Sequence, residues 1–162
     1  MSKATAALRA LTLQDRLVPM AGVYDALSAC LLERAGLPVA FISGYCLAAS
    51  RLGLPDVGYL TLTEVVENAS RIADRVDIPV LCDGDDGYGN HLNVARLVKG
   101  LERAGVAGVQ IEDQVSPKRC GHMDGKRITG KAEAVAKIKA ALDTRQDPDF
   151  IIIARTDALA VN

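Results

Sequence analysis

Five short runs of nearly uninterrupted aliphatic residues recur along the chain, at Leu17–Val23, Val39–Ile42, Pro79–Cys82, Val106–Ile111 and Phe150–Ala154. Runs without polar alternation suit strands covered on both faces, the condition of a parallel sheet. Helical spacing fills the intervals. Thr61-Leu-Thr-Glu64 reads as a capping box, with Thr61 as N-cap and Glu64 reaching back. Leu62, Val65, Val66, Ala69, Ile72, Ala73 and Val76 then share one face. Val94, Val98 and Leu101 form a second stripe that stops at Gly105, and a crossover from Asp25 to Ala35 stops at Gly36. Both glycines suit a left-handed C-cap. A further helix is expected from Lys131 to Leu142, and a short amphipathic one within the first seventeen residues.

Alternating strands and helices leave a doubly wound sheet or a TIM barrel. The glycine fingerprint of a dinucleotide fold is missing after the first strand. Polar residues instead crowd the strand C-termini: Asp25, Ser43, Asp83 with Asp85, Glu112 with Asp113, and Arg155 with Asp157. Barrel enzymes keep their chemistry on that rim, so a TIM (β/α)8 barrel is expected. A complete barrel takes ~250 residues, or ~155 for five units. The 162 residues therefore read as one partial barrel domain, truncated after its fifth strand. Five strands cannot close the cylinder.

The composition excludes several functions. A net charge of −1 with no basic run argues against nucleic acid, and no apolar stretch is long enough to span a membrane. No signal peptide is read at the N-terminus. Four scattered cysteines form no CxxC pair, which fits a reduced, cytoplasmic compartment without zinc or disulfides. Cys30, Cys46 and Cys82 are assigned to packing.

The densest polar segment is Cys82-Asp83-Gly84-Asp85-Asp86-Gly87-Tyr88-Gly89-Asn90. Its carboxylates repel one another unless a cation or donors compensate. Strand alternation would point Asp83 and Asp85 the same way, toward one hard ion such as Mg²⁺ or Mn²⁺. The plainer alternative is an acidic turn with Asn90 capping the next helix. Glu112 would face the same mouth, or hold a loop through backbone hydrogen bonds. Asp56 is either an outer acid bound to metal waters or a surface turn.

Lys118-Arg119-Cys120-Gly121-His122 sets a thiol beside two cations and a histidine, which favours a proton donor or nucleophile. Gly121 suits a loop that closes over substrate. His122 could carry a proton or simply brace the loop. Ser43-Gly44-Tyr45 offers N–H donors and a hydroxyl for a developing oxyanion, or an ordinary glycine turn. Arg155 could grip a substrate carboxylate or neutralise the rim acids.

With SGY, LGLPD, DGDDGYGN, IEDQ, PKRCGH and ARTDA in this order, the sequence resembles the isocitrate lyase and phosphoenolpyruvate mutase superfamily from about Val18 to Val161. It is most similar to the methylisocitrate-lyase-like branch, and KRCGH is the lyase signature of that superfamily. The resemblance implies a Mg²⁺-dependent TIM barrel acting on 2-hydroxy or 2-oxo dicarboxylate-type substrates. Asp83, Asp85 and Glu112 would bind the ion directly or through water, with Asp56 behind them. Ser43, Gly44 and Tyr45 would hold the pyruvate or enolate part, Arg155 a carboxylate, and Cys120 would be the catalytic acid, its thiolate stabilised by Lys118 and Arg119. The base is unassigned, with Tyr45 a candidate.

The expected reaction is cleavage of a 2-methylisocitrate or dimethylmalate type substrate. Alternatives are a carboxyphosphonoenolpyruvate mutase-like enzyme and a noncatalytic half-barrel or scaffold. Asp86 replaces a residue that is neutral in many relatives. The family's later strands supply further substrate ligands, and its full-length members imply a homo-oligomer, a tetramer.

Overall fold

The computed structural model describes residues 3–161, so the first two positions of the expected N-terminal helix and Asn162 lie outside the described residues. Helix α1 (Lys3–Thr12) precedes β1 (Met20–Val23), α2 (Ala26–Arg34) and β2 (Val39–Ile42). Then come α3 (Gly44–Leu52), α4 (Leu62–Ala73), β3 (Val80–Asp83), α5 (His91–Arg103), β4 (Gly108–Glu112), α6 (Lys131–Thr144) and β5 (Ile151–Arg155). All four strand pairings are parallel and the order is β1-β2-β3-β4-β5. A doubly wound sheet reverses direction at a switch point, whereas a barrel adds each strand beside the last. The order selects the barrel.

Local signals act where the sequence places them. The Thr61 hydroxyl accepts from the Glu64 N–H at 3.3 Å, and the Glu64 carboxylate accepts from the Thr61 N–H at 2.8 Å. Gly36 and Gly105 take φ of 81° and 80°, the left-handed conformation that releases α2 and α5 into the next strand. Two expectations need correction. The first strand begins at Met20 rather than Leu17, because Pro19 has no N–H to pair and Leu17 is 88% exposed. Ser43-Gly44-Tyr45 is not a bare turn: Ser43 caps α3, its hydroxyl accepting from the Cys46 N–H at 3.3 Å.

The pleat divides each strand between two layers. Ala40, Ile42, Val80, Cys82, Val109 and Ile111 face the helices, packing with Ile72, Leu97 and Leu101. The opposite parity carries Val39, Phe41, Leu81, Ile151 and Ile153, with Leu8 and Leu11 of α1 packed on them. Asp83 pairs in register with Gln110, and Glu112 with Arg155. These four side chains continue the second parity beyond its apolar part, so the winding itself brings them to one mouth.

Candidate active site

Asp83 ends β3, and the loop after it turns back on the strand. The Asp85 N–H donates to Asp83 Oδ1 at 3.2 Å, and the Gly44 N–H at the start of α3 donates to Asp83 Oδ2 at 3.3 Å. Asp85 has φ of 47°, which corrects the sequence reasoning: a left-handed residue, rather than strand alternation, brings its carboxylate alongside that of Asp83. A Cβ on Gly44 would lie 3.1 Å from Asp85 Oδ1 and 3.2 Å from Asp83 Oδ2. Both carboxylates crowd one glycine. A side chain there would press on both, because the backbone itself forms the wall of the acid cluster.

Burial acts against these charges. It raises the Asp83 carboxyl above its ordinary range. Burial and the neighbouring Asp83 charge push Asp85 up to about 7. Burial likewise lifts Glu112 to about 8, despite the opposing pull of Lys118 and Arg155. Glu112 Oε1 is buried without a hydrogen-bond partner. Asp86 points elsewhere, its Oδ1 accepting from the Tyr88 N–H at 2.9 Å. The Tyr88 hydroxyl donates to Asp85 Oδ2 at 3.2 Å and steadies it. The plainer expectation for Asn90 also holds, since it caps α5 through the Leu92 N–H at 2.8 Å.

The counter-charge comes from the cysteine loop. Lys118 is 5% exposed and its Nζ lies 2.7 Å from Asp56 Oδ1 and 2.6 Å from Asp85 Oδ1. Burial opposes the ammonium, but Asp85 and Asp56 outweigh it and its pKa is raised. Arg119 donates from Nη1 to the Asp124 carbonyl at 3.1 Å. The two cations next to Cys120 in sequence therefore have other partners in space. Asp56 also tethers the loop, its carbonyl accepting from the Cys120 N–H at 2.9 Å. At the loop's neck, the Val115 N–H donates to the Arg127 carbonyl and the Thr129 N–H to the Asp113 carbonyl, both at 2.8 Å.

A cavity of about 570 Å³ opens between these elements. Ser43, Tyr45, Asp56, Asp83, Lys118, Cys120, Gly121, His122 and Arg155 line it, so nine of the thirteen sequence-predicted site residues share one wall. Of the others, Gly44 and Asp85 lie behind Asp83, while Arg119 is turned toward Asp124. Glu112 lies against Arg155, whose Nη1 is 3.4 Å from Glu112 Oε2. The opposite guanidinium nitrogen is 3.1 Å from Asp157 Oδ1. A Cβ on Gly121 would fall 2.5 Å from Arg155 Nη2, so the glycine lets the cysteine loop sit on the guanidinium. Phe41 and Gln110 also line the cavity and escaped the sequence analysis. Only the register, β2 on β3 and β3 on β4, puts both on the face of Asp83.

The donor set fits a hard divalent ion. Every acid at the mouth offers oxygen, one buried oxygen of Glu112 has no partner, and burial opposes the charge of three carboxylates. As placed, no three His, Cys, Asp or Glu side chains among the described residues stand together as a group that could hold a metal ion. Lys118 supplies the positive charge instead.

Residues 8–162 match the phosphoenolpyruvate phosphomutase family. The chain belongs to it. It is 50% identical over 153 residues to 2,3-dimethylmalate lyase of Eubacterium barkeri, covering 94% of this chain and 53% of the relative. Identity to 2-methylisocitrate lyase of Escherichia coli is 47% over 156 residues, covering 96% and 53%. With the chloroplastic carboxyvinyl-carboxyphosphonate phosphorylmutase of Arabidopsis thaliana it is 48% over 150 residues, covering 92% and 44%. The solved 2,3-dimethylmalate lyase, a member of the PEP mutase/isocitrate lyase superfamily, superposes with a TM-score of 0.93 at 40% identity, covering 100% of this chain and 55% of that one. Phosphonopyruvate hydrolase in complex with oxalate and Mg++ gives 0.88 at 35% identity, covering 98% and 54%. The chain thus spans about half the length of the curated relatives it matches. No described helix is long and apolar enough to cross a membrane.

Proposed function

We propose that this chain carries the metal-and-acid half of a Mg²⁺-dependent carbon–carbon lyase, one that cleaves a 2-hydroxy di- or tricarboxylate of the 2-methylisocitrate or dimethylmalate type into pyruvate and a second carboxylic acid. The observation that carries it is the single cavity lined by Asp83, Cys120 and Arg155 together. A metal ligand, a proton donor and a carboxylate receptor facing one space are what such a cleavage needs. When bound, Mg²⁺ supplies Lewis-acid stabilisation of the substrate oxygen.

The side chains have separable tasks. Asp83, Asp85 and Glu112 would hold the ion, and Asp56 would stand behind them once Lys118 gives way. Arg155 orients a substrate carboxylate, its guanidinium already aimed by Glu112 and Asp157. The Ser43 hydroxyl and the Tyr45 phenol face the pyruvate portion, and Tyr45 is the candidate base. As the substrate hydroxyl loses its proton, the carbonyl forms and the C–C bond breaks. The electron pair left on the departing carbon takes the proton of the Cys120 thiol. His122 and Gly121 belong to the lid over this step, and Arg119 braces it from Asp124. Closure of that lid over the mouth would keep water from the carbanion. We place the protein in the cytoplasm, as a tetramer in its full-length form.

A second reading has one specific support, the 48% identity to a phosphorylmutase. A substrate panel with Mg²⁺ separates the two. Pyruvate released from 2-methylisocitrate or 2,3-dimethylmalate supports the lyase. Formation of a P–C bond from a carboxyphosphonate substrate, without pyruvate from either malate-type acid, supports the mutase. Turnover of none of them supports a noncatalytic half-barrel.

A further inference from the structure

Gln114 is a fully buried amide just beyond β4, and the reaction outlined above gives it no task. It is 1% exposed. Its Oε1 accepts from the Arg119 N–H at 2.9 Å, and its Nε2 donates to the Arg119 carbonyl at 2.9 Å. The amide therefore grips both sides of one residue, the residue immediately before Cys120. The second Nε2 hydrogen reaches Asp157 Oδ2 at 2.9 Å. Asp157 in turn accepts from Arg155 Nη2 at 3.1 Å on its other oxygen, and its own N–H donates to Asp113 Oδ1 at 3.0 Å.

These bonds form a continuous strut from the carboxylate receptor Arg155, through Asp157 and Gln114, to the backbone of the cysteine loop. No other described side chain bonds the Arg119 backbone. The chemistry explains why glutamine stands there. A carboxylate at this position would set its oxygen against two acceptors, the Arg119 carbonyl and Asp157. An aliphatic residue would leave the Arg119 N–H and carbonyl without this partner, at a cost, and would leave Asp157 Oδ2 with the longer bond from Arg155 Nη2 at 3.3 Å.

We infer that Gln114 is a positioning residue: it fixes the height of Cys120 over the cavity and ties that height to the guanidinium of Arg155. The inference rests on Cys120 as proton donor and adds to that reading the element that sets its geometry. When a substrate carboxylate draws Arg155 toward itself, Asp157 and Gln114 pass the change to the thiol loop without touching substrate. Gln114 acts through Cys120, so its loss lowers the rate of the proton-transfer step and leaves substrate affinity in place.

Two variants test this, Gln114→Leu and Asp157→Ala, each read first by site-resolved alkylation with iodoacetamide and peptide mapping. Cys30 on α2, bonded to the Arg75 carbonyl and remote from the loop, is the internal reference. Releasing the loop is expected to raise the Cys120-to-Cys30 alkylation ratio about tenfold in Gln114→Leu and less in Asp157→Ala. An unchanged ratio in Gln114→Leu overturns the strut. Should that variant fail to fold, an unchanged ratio in Asp157→Ala does so. The second reading is pyruvate release by the full-length enzyme. Gln114→Leu is expected to lower kcat about tenfold with KM within about twofold of the parent. A rise in KM at constant kcat would assign Gln114 to ground-state binding and overturn the proposal. Alkylation needs no turnover, so it decides the strut even if the parent releases no pyruvate and the lyase reading falls.

Discussion

The helix-facing layer of the sheet and the rim at the strand ends are built on opposite rules. Behind the sheet, Ile72, Leu97, Leu101 and Ile111 are almost wholly buried and all apolar. At the rim, Asp83 is a half-buried acid and Asp85 and Glu112 are buried ones, with Lys118 as the cation bound directly to that cluster's Asp85. The first layer follows what close packing rewards. The second departs from it, and such departures concentrate where a protein binds or reacts. The contrast separates stability from function within one sheet, and substitutions on the two sides should fail in different ways.

The largest effect belongs to the rim. Cys120→Ser should lower pyruvate release about a thousandfold, the scale of a positioned general acid, with folding and Mg²⁺ affinity unchanged. Steady-state turnover beside a metal titration checks both halves. Next comes the helix side: Leu97→Ala should cost about 3 kcal/mol in denaturant unfolding, while the rim keeps its affinity for the ion. If that substitution abolished metal binding without unfolding the chain, the two regions would not be separable. Gly84 stands between them. A Cβ there would lie 2.7 Å from Val109 Cγ2 and 2.8 Å from the Gln110 carbonyl. Gly84→Ala should therefore destabilise by about 2 kcal/mol and also weaken ion binding, since β4 must shift.

The smallest effect is a slope. Asp85 and Glu112 hold their protons up to about 7 and about 8 in the fold, against ordinary values of 3.8 and 4.5. The folded state binds these protons more tightly than the unfolded chain does. Their contribution to stability is therefore fully present below the ordinary values and is lost as pH rises through the folded ones. Urea unfolding in EDTA should show stability falling across that interval, and Glu112→Gln should flatten the fall. Lys118, raised above its ordinary 10.5, does not titrate in this window. Added Mg²⁺ should reverse the trend by binding the ionised carboxylates.

Much of this was legible in the sequence, for identifiable reasons. Capping at Thr61 and release at Gly36 and Gly105 are local chemistry, readable without knowing the fold. The five strands were readable because burial on both faces leaves an aliphatic run. Helix α3 was missed because glycine at its first position reads as a turn, although Ser43 offered a cap. Gln110 and Phe41 were missed because only the register shows that they share Asp83's face. The partner of Lys118 could not be read at all. Adjacency to Cys120 in sequence suggested the thiol, whereas the loop's path carries the ammonium to Asp56 and Asp85, acids from two other loops. Gln114 stayed hidden for the same reason, since its bonds reach Arg119 and Asp157 across the fold.

Whether the rim acids act as one metal site can be measured directly by titrating the metal-free protein with Mn²⁺, followed by electron paramagnetic resonance. One ion per chain is expected to bind, and Asp83→Asn, Asp85→Asn and Glu112→Gln should each weaken it at least about tenfold, with Cys120→Ser leaving it unchanged. Binding that ignores all three carboxylate substitutions, or no binding to the folded protein, would contradict a shared divalent site at the mouth of the sheet.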